Sequence, residues 1–193
     1  LMGIKYYEID NYEADDIIGT LSKQCENDPE FEALIISSDK DLLQLISDET
    51  HIKLLKQKDY IYYDKNSFKN DYGIDPINII DLKALMGDAS DNIPGVKGIG
   101  EKTALKLLVK YKNLDGVYQN IDSSKGSVHY KLVNDKDNAY MSYEIATIFR
   151  DVPLTISVTD TKYLKPDTAK LNALYEELEF FSFLKKEEKK EVT

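Results

Sequence analysis

The run Ala33-Leu34-Ile35-Ile36-Ser37-Ser38-Asp39-Lys40-Asp41-Leu42-Leu43 sets the fold class. Four consecutive apolar residues ending in small polar ones predict a strand covered on both faces, as in a parallel sheet. Ser37-Ser38-Asp39 then caps a helix carrying Leu42, Leu43, Leu45 and Ile46. Toward the amino end, Lys5-Tyr6-Tyr7-Glu8-Ile9 reads as a short strand and Asp10-Asn11 as a cap. In the helix that follows, Ala14, Ile17, Ile18, Leu21 and Cys25 recur at helical spacing, and Asn27-Asp28-Pro29 ends it. This strand–helix–strand–helix succession is a fragment of a doubly wound α/β layer, whose sites lie outside the carboxyl ends of the strands.

Toward the carboxyl end, His51 to Leu55 and Tyr60 to Tyr63 flank a polar turn at Lys56 to Asp59 and predict an edge hairpin. A short helix near Ser67 to Tyr72 stops at Gly73. A second, entered at Pro76, runs through Ile77, Ile80, Leu82, Leu85 and Met86 into Gly87. After a glycine turn comes a helix with Ala104, Leu107, Leu108 and Tyr111 facing inward. Short helices are expected at Leu114 to Ile121, Tyr130 to Val133 and Asp137 to Ala146, then an extended segment at Leu154 to Val158. A last helix near Asp167 to Leu184 packs Leu171, Leu174, Leu178 and Phe181. The mixed-charge run Lys185 to Glu191 reads as a solvated helix end or a linker.

The 193 residues are 42% hydrophobic, with no apolar run near the ~20 residues of a membrane span, and Leu1-Met2-Gly3-Ile4-Lys5 lacks the layout of a signal peptide. A soluble cytoplasmic protein, monomeric and without a membrane partner, is expected. The single cysteine, Cys25, reads as core packing. A net charge of −10 at first disfavours a polyanionic partner. Its distribution reverses that: Lys97, Lys102, Lys106, Lys110 and Lys112 face only Glu101 in one short stretch, while many acids fall into three groups.

Those groups are Glu13, Asp15 and Asp16; Asp39 and Asp41; Asp88 and Asp91. Glu13 and Asp16, three apart on a helix, share a side opposite the apolar stripe, and Asp15 joins them through the loosely directed first turn. Asp39 and Asp41 follow the buried strand directly. Asp88 and Asp91 lie just past a helix end, again three apart. Taken singly, Asp39 is equally a helix cap, Glu13 a capping-box partner, and Asp88 or Asp91 a solvated turn residue. Taken together they predict a cluster that persists only with cations or protons between its members. Hard oxygen ligands suit Mg²⁺ or Mn²⁺. Two such ions about 4 Å apart clamp the attacking and leaving oxygens of an in-line phosphoryl displacement, so phosphodiester hydrolysis is the implied reaction. An EF-hand at Asp10 to Leu21 fails, for want of a glycine at loop position six and an acid at position twelve.

Gly95-Val96-Lys97-Gly98-Ile99-Gly100 matches neither nucleotide loop: Glu101 stands where a Walker lysine belongs, and Thr103 where the dinucleotide pattern needs glycine. It reads instead as a hairpin between helices that brings main-chain amides and a helix N-terminus to a phosphate. Lys102, Lys106 and Lys110 then track the backbone along one helix face.

Tyr12-Glu13-Ala14-Asp15-Asp16, Ser37-Ser38-Asp39-Lys40-Asp41-Leu42, Gly87-Asp88-Ala89-Ser90-Asp91-Asn92 and Gly95 to Thr103 together resemble, in order and spacing, the 5′-to-3′ exonuclease domain of bacterial DNA polymerases I, in the flap endonuclease family. The resemblance covers essentially the whole chain. It implies a PIN-like (resolvase-like) α/β core joined to a helix-three-turn-helix module. It implies metal-dependent removal of 5′ flaps and RNA primers in Okazaki-fragment processing and excision repair, on duplex DNA with a flap or nick, in the bacterial nucleoid. By the same resemblance Glu13, Asp15, Asp16, Asp39, Asp41, Asp88 and Asp91 are catalytic metal ligands. Gly95, Val96, Lys97, Gly98, Ile99, Gly100, Lys102, Thr103 and Lys106 bind DNA, with K⁺ on hairpin carbonyls. The corresponding division is a partial nuclease core at 1–72, DNA-binding helices at 73–150 and a carboxyl-terminal segment at 151–193. The family's opening strand, further acids and helical arch have no counterpart before Leu1, and polymerase domains are expected to follow the charged tail. A non-catalytic duplex-binding fragment is the alternative, and an acidic Ca²⁺-binding protein a weaker third reading.

Overall fold

The computed structural model describes residues 1–124 and 126–187. The chain divides into two compact units, Asn11–Pro153 and a smaller one pairing Leu1–Asp10 with Leu154–Thr193.

In the larger unit, α1 (Ala14–Glu26) leads to β1 (Ala33–Ser37), a 3-10 turn (Asp41–Leu45), β2 (Thr50–Lys56) and β3 (Asp59–Tyr63). The sheet has order β1-β2-β3, with Ala33 opposite Thr50 in a parallel pair and Lys56 opposite Asp59 in an antiparallel hairpin. The parallel pair and the hairpin are as the sequence predicts. Then come α2 (Lys65–Tyr72), closed by left-handed Gly73, and α3 (Ile79–Met86), entered through a 3-10 turn at Pro76–Asn78. The helices α4 (Glu101–Tyr111), α5 (Leu114–Gln119), α6 (Ser127–Asn134) and α7 (Lys136–Ala146) complete the unit. Leu42, Leu43, Ile52, Phe68, Leu85, Ala104, Leu108 and Leu132 form one continuous core between the sheet and these helices.

Several sequence expectations need correction. The first helix is capped by Glu13, because Asn11 takes a left-handed φ of 67° and turns the chain before it. β1 is covered on one face only: Ile35 is buried, but Leu34 and Ile36 are 48% and 61% exposed. The expected helix at Leu42 to Ile46 is a single 3-10 turn capped at Lys40, long enough to bury Leu42, Leu43 and Leu45.

In the smaller unit, Lys5 to Ile9 is irregular rather than a strand. The amino-terminal segment is held by hydrogen bonds from Leu164 N to Gly3 O and from Asp167 N to Leu1 O, too sparse for a ladder. Leu154 to Val158 likewise joins no sheet and enters a 3-10 turn at Val158–Thr161. The last helix is two, α8 (Thr168–Glu177) and α9 (Phe181–Glu187), broken where Glu179 adopts φ 57°. Leu171 is buried, but Leu178 and Phe181 lie exposed rather than packed. Of the mixed-charge run, residues 188–191 lie outside the described residues.

Candidate nuclease site

α3 is buried all round, so the two charged residues in its sequence Ile-Ile-Asp-Leu-Lys-Ala-Leu-Met must find partners inside. Asp81 accepts from Asn78 Nδ2 and from Leu114 N, each at 2.8 Å, tying α3 to the start of α5. Burial pushes its carboxyl above the ordinary value. Lys83, its side chain only 6% exposed, sends its ammonium to three carboxylates: Asp41, Asp88 at 2.8 Å and Asp91 at 3.2 Å. Burial alone would lower the ammonium pKa; the hydrogen bonds to Asp41 and Asp88 outweigh it and raise it. The same bond from Lys83, with one from Ser90, holds Asp88 down at about 2.

The turn that carries Asp88 and Asp91 is closed by a two-residue antiparallel bridge, Asp88 N to Ile93 O at 2.9 Å and Ile93 N to Asp88 O at 2.8 Å. Glycine is required where the chain crosses itself at the neck. Gly87 and Gly95 both have positive φ, and a Cβ on Gly95 would lie 2.2 Å from Gly87 N.

The three acidic groups meet. Glu13, Asp15, Asp16, Asp39, Asp41 and Asp91 line a single cavity of about 540 Å³, which Ile93 and residues 145–149 also line. Asp88 faces an adjoining hollow with Lys83, Leu43 and Met86. Oxygens of Asp41, Asp88 and Asp91 lie within 4.8 Å of one another, close enough to share an ion. Asp15 is strained by this company. Burial, then the charges of Asp39, Asp41, Glu13 and Asp16, push its carboxyl up to about 6. Burial likewise raises Asp41, against the pull of Lys83. Asp16 is partly committed elsewhere: Oδ2 accepts from Glu13 N at 3.2 Å and Oδ1 from Phe149 N at 2.9 Å. Asp39 Oδ1 accepts from Asp41 N at 2.9 Å, which sets the turn bearing both. Part-buried carboxylates crowded around one cavity make a donor set suited to a hard divalent cation.

Sequence reasoning missed two parts of this site. Lys83 was legible as a charge inside an apolar helix pattern. The segment 145–149 carries no motif, and its place is fixed by tertiary bonds: Gln44 Nε2 donates to Ala146 O and Gln44 Oε1 accepts from Ile148 N, each at 3.0 Å.

The glycine hairpin Gly95 to Gly100 leads into α4, with Gly100 as the N-cap. Four of its amides are already engaged: Gly95 by Ser142 Oγ, Val96 by Leu85 O, Lys97 by Asp135 Oδ2 and Ile99 by Val96 O. That leaves the amides of Glu101 and Lys102, in the first turn of α4, without intrahelical acceptors. Lys97, Lys102 and Lys106 are exposed, whereas Thr103 is half-buried. Gly98 O accepts from Lys131 Nζ at 2.8 Å.

Among solved structures, T5 5′-exonuclease with bound divalent metal ions (zinc) superposes with a TM-score of 0.63 at 24% identity, over 74% of this chain and 52% of that one. The catalytic core of Rad2 in complex with DNA substrate superposes with a TM-score of 0.61 at 22% identity, over 91% and 60%. Both share the fold. In sequence, DNA polymerase I of Streptococcus pneumoniae is 44% identical over 182 residues, and that of Bacillus subtilis 43% over 186. These alignments take in 93% and 95% of this chain, which spans about 21% of each polymerase. The family described as 5′-3′ exonuclease, N-terminal resolvase-like domain, matches residues 1–73, and 5′-3′ exonuclease, C-terminal SAM fold, matches residues 74–169. With a resolvase-like part and a SAM-fold part in unbroken succession, and acids from both gathered on one cavity, the chain belongs to the 5′-3′ exonuclease family.

Proposed function

We propose that this chain is the nuclease part of a DNA polymerase I and hydrolyses phosphodiesters of DNA, and of RNA primers, at 5′ ends and 5′ flaps. The observation that carries the reading is the convergence of Glu13, Asp15, Asp16, Asp39, Asp41 and Asp91, far apart in sequence, on one cavity, with Asp88 within reach of Asp41 and Asp91. In this reading residues 1–72 are nuclease core, 73–150 the duplex-gripping helices and 151–193 a carboxyl-terminal segment leading toward the polymerase, in a monomer working at the bacterial nucleoid.

Glu13, Asp15, Asp16, Asp39, Asp41, Asp88 and Asp91 would hold two or more Mg²⁺ or Mn²⁺ ions. When bound, these activate water and neutralise charge on the phosphoryl oxygens. The chain's own residues supply position. Lys83 holds Asp41, Asp88 and Asp91 together and keeps their mutual repulsion from opening the cluster. The bridged turn at Asp88 to Ile93 and segment 145–149 each fix part of the cavity wall. Lys97, Lys102 and Lys106, with the open amides at the start of α4, take the duplex backbone without reading its sequence. Hairpin residues Gly95, Val96, Gly98, Ile99, Gly100 and Thr103 shape that surface. K⁺ at the hairpin fits less well, since it would share the Gly98 carbonyl with the Lys131 ammonium.

The test is a labelled 5′-flap duplex incubated with this chain, and with a version extended at its amino end, in Mg²⁺, Mn²⁺ or EDTA. Metal-dependent release of the flap is expected. Duplex binding without cleavage by either protein would leave only a binding role.

A further inference from the structure

Phe149 is 48% exposed, although it belongs to a segment pinned at nearly every residue. Ile148 N donates to Gln44, Phe149 N to Asp16, Arg150 Nε to Gly19 O and Val152 N to Thr20 Oγ1, all within 3.1 Å. The exposure is therefore not that of a loose loop. The chain is held so that the phenyl ring stands at the edge of the acid-lined cavity, which Phe149 itself helps to line. Behind it lies Tyr12, the residue before Glu13. The two rings are nearly parallel, 16° apart with centroids 6.0 Å apart, the spacing of an offset stack. Tyr12 thus backs one face of Phe149.

We propose that Phe149, supported by Tyr12, is a stacking platform for the unpaired base next to the phosphodiester held at the acid cluster. This rests on the nuclease reading and adds to it a subsite for single-stranded nucleobases of any identity. The chemistry favours it in three ways. A flat aromatic surface is the ordinary protein partner of an unpaired base, because every base offers a π-face. An exposed phenyl ring beside a ring of carboxylates has no role in holding cations, so its place there needs another partner. Finally, the Phe149 amide is fixed by Asp16, a member of the acid cluster, at 2.9 Å. The platform's main chain is therefore tied directly to the cluster, as a base is tied to its own phosphate.

The experiment uses a 5′-flap duplex with 2-aminopurine at the first unpaired flap nucleotide and fluorescein at the distant end, in Ca²⁺ and in EDTA. Anisotropy reports binding, and 2-aminopurine fluorescence reports stacking. Phe149→Leu keeps an apolar contact to Tyr12 and every main-chain bond but removes the aromatic face; Phe149→Tyr keeps the face. The wild-type chain and Phe149→Tyr are expected to quench 2-aminopurine. Phe149→Leu is expected to lose the quench and bind the flap about tenfold more weakly, with unchanged affinity for blunt duplex and an unchanged circular dichroism spectrum. Equal quenching by Phe149→Leu would overturn the platform. Binding to flap and blunt DNA with no quench by the wild type would overturn it too, leaving the nuclease reading intact. No binding to either DNA would remove both.

Discussion

The Lys83 ammonium lies 2.8 Å from the Asp88 carboxylate, across the carboxyl-terminal end of α3, and the same nitrogen serves Asp41 and Asp91. It is a resident cation for a site otherwise built from acids. Replacing it with methionine preserves the volume and leaves three carboxylates facing one another. Lys83→Met should destabilise the metal-free protein by about 3 kcal/mol. Added Mg²⁺ should recover part of that stability, because an ion bound only by the folded state substitutes for the missing charge. Urea unfolding in EDTA and in Mg²⁺ measures both.

Asp15 gives a pH signature. Its folded-state carboxyl, near 6, lies above the ordinary value near 4, so it disfavours folding once ionised. Its contribution to stability is fully present below about pH 4 and is lost as pH rises through about 6. Asp15→Asn should therefore raise the stability of the metal-free protein at pH 7.5, by on the order of 1–2 kcal/mol after allowance for solvent at a half-buried site. Near pH 4 the two proteins should unfold alike. Thermal melts in EDTA across this range decide it, and an unchanged difference from pH 4 to 7.5 would contradict a raised Asp15 carboxyl.

The hairpin lysines should act through charge alone. Combined Lys97→Ala, Lys102→Ala and Lys106→Ala should weaken duplex binding equally for unrelated sequences. The slope of log affinity against log salt should fall by up to about 3, near one for each phosphate that a lysine no longer neutralises. Titrations at several salt concentrations give the slope; an unchanged value would move the DNA surface elsewhere.

Gly95→Ala tests the neck of the acidic turn. The new methyl would meet Gly87 N at 2.2 Å in a left-handed backbone, so the bridge between Asp88 and Ile93 must open. We expect a destabilisation of about 2–3 kcal/mol and weaker binding of Mn²⁺, followed by its paramagnetic relaxation. Gly100→Ala, where a Cβ meets nothing within 4 Å, is the matched control.

Much of this was legible from residue order. The parallel strand before Asp39, the edge hairpin at Lys56 to Asp59 and the helix stop at Gly73 all follow from local chemistry, and the acids at element ends foretold a common cavity. What was not legible depended on distant partners. The exposure of Leu34 and Ile36 cannot be read from an apolar run, which looks the same whether one face or two are covered. Lys5 to Ile9 is rich in strand-favouring Tyr and Ile yet finds no edge to join. The bond that seats Asp16 comes from the Phe149 amide, 133 positions away in sequence.

Because α3 is buried on every side, and its two charged residues bind in opposite directions, Asp81 to the start of α5 and Lys83 to the acids, it acts as a shared keystone. Melting α3 would release both the acid cluster that Lys83 holds and the start of α5 that Asp81 holds. Amide hydrogen exchange should therefore find the α3 backbone among the slowest in the molecule. Partial denaturation should leave no population that grips DNA with an intact hairpin but a dismantled acid cluster.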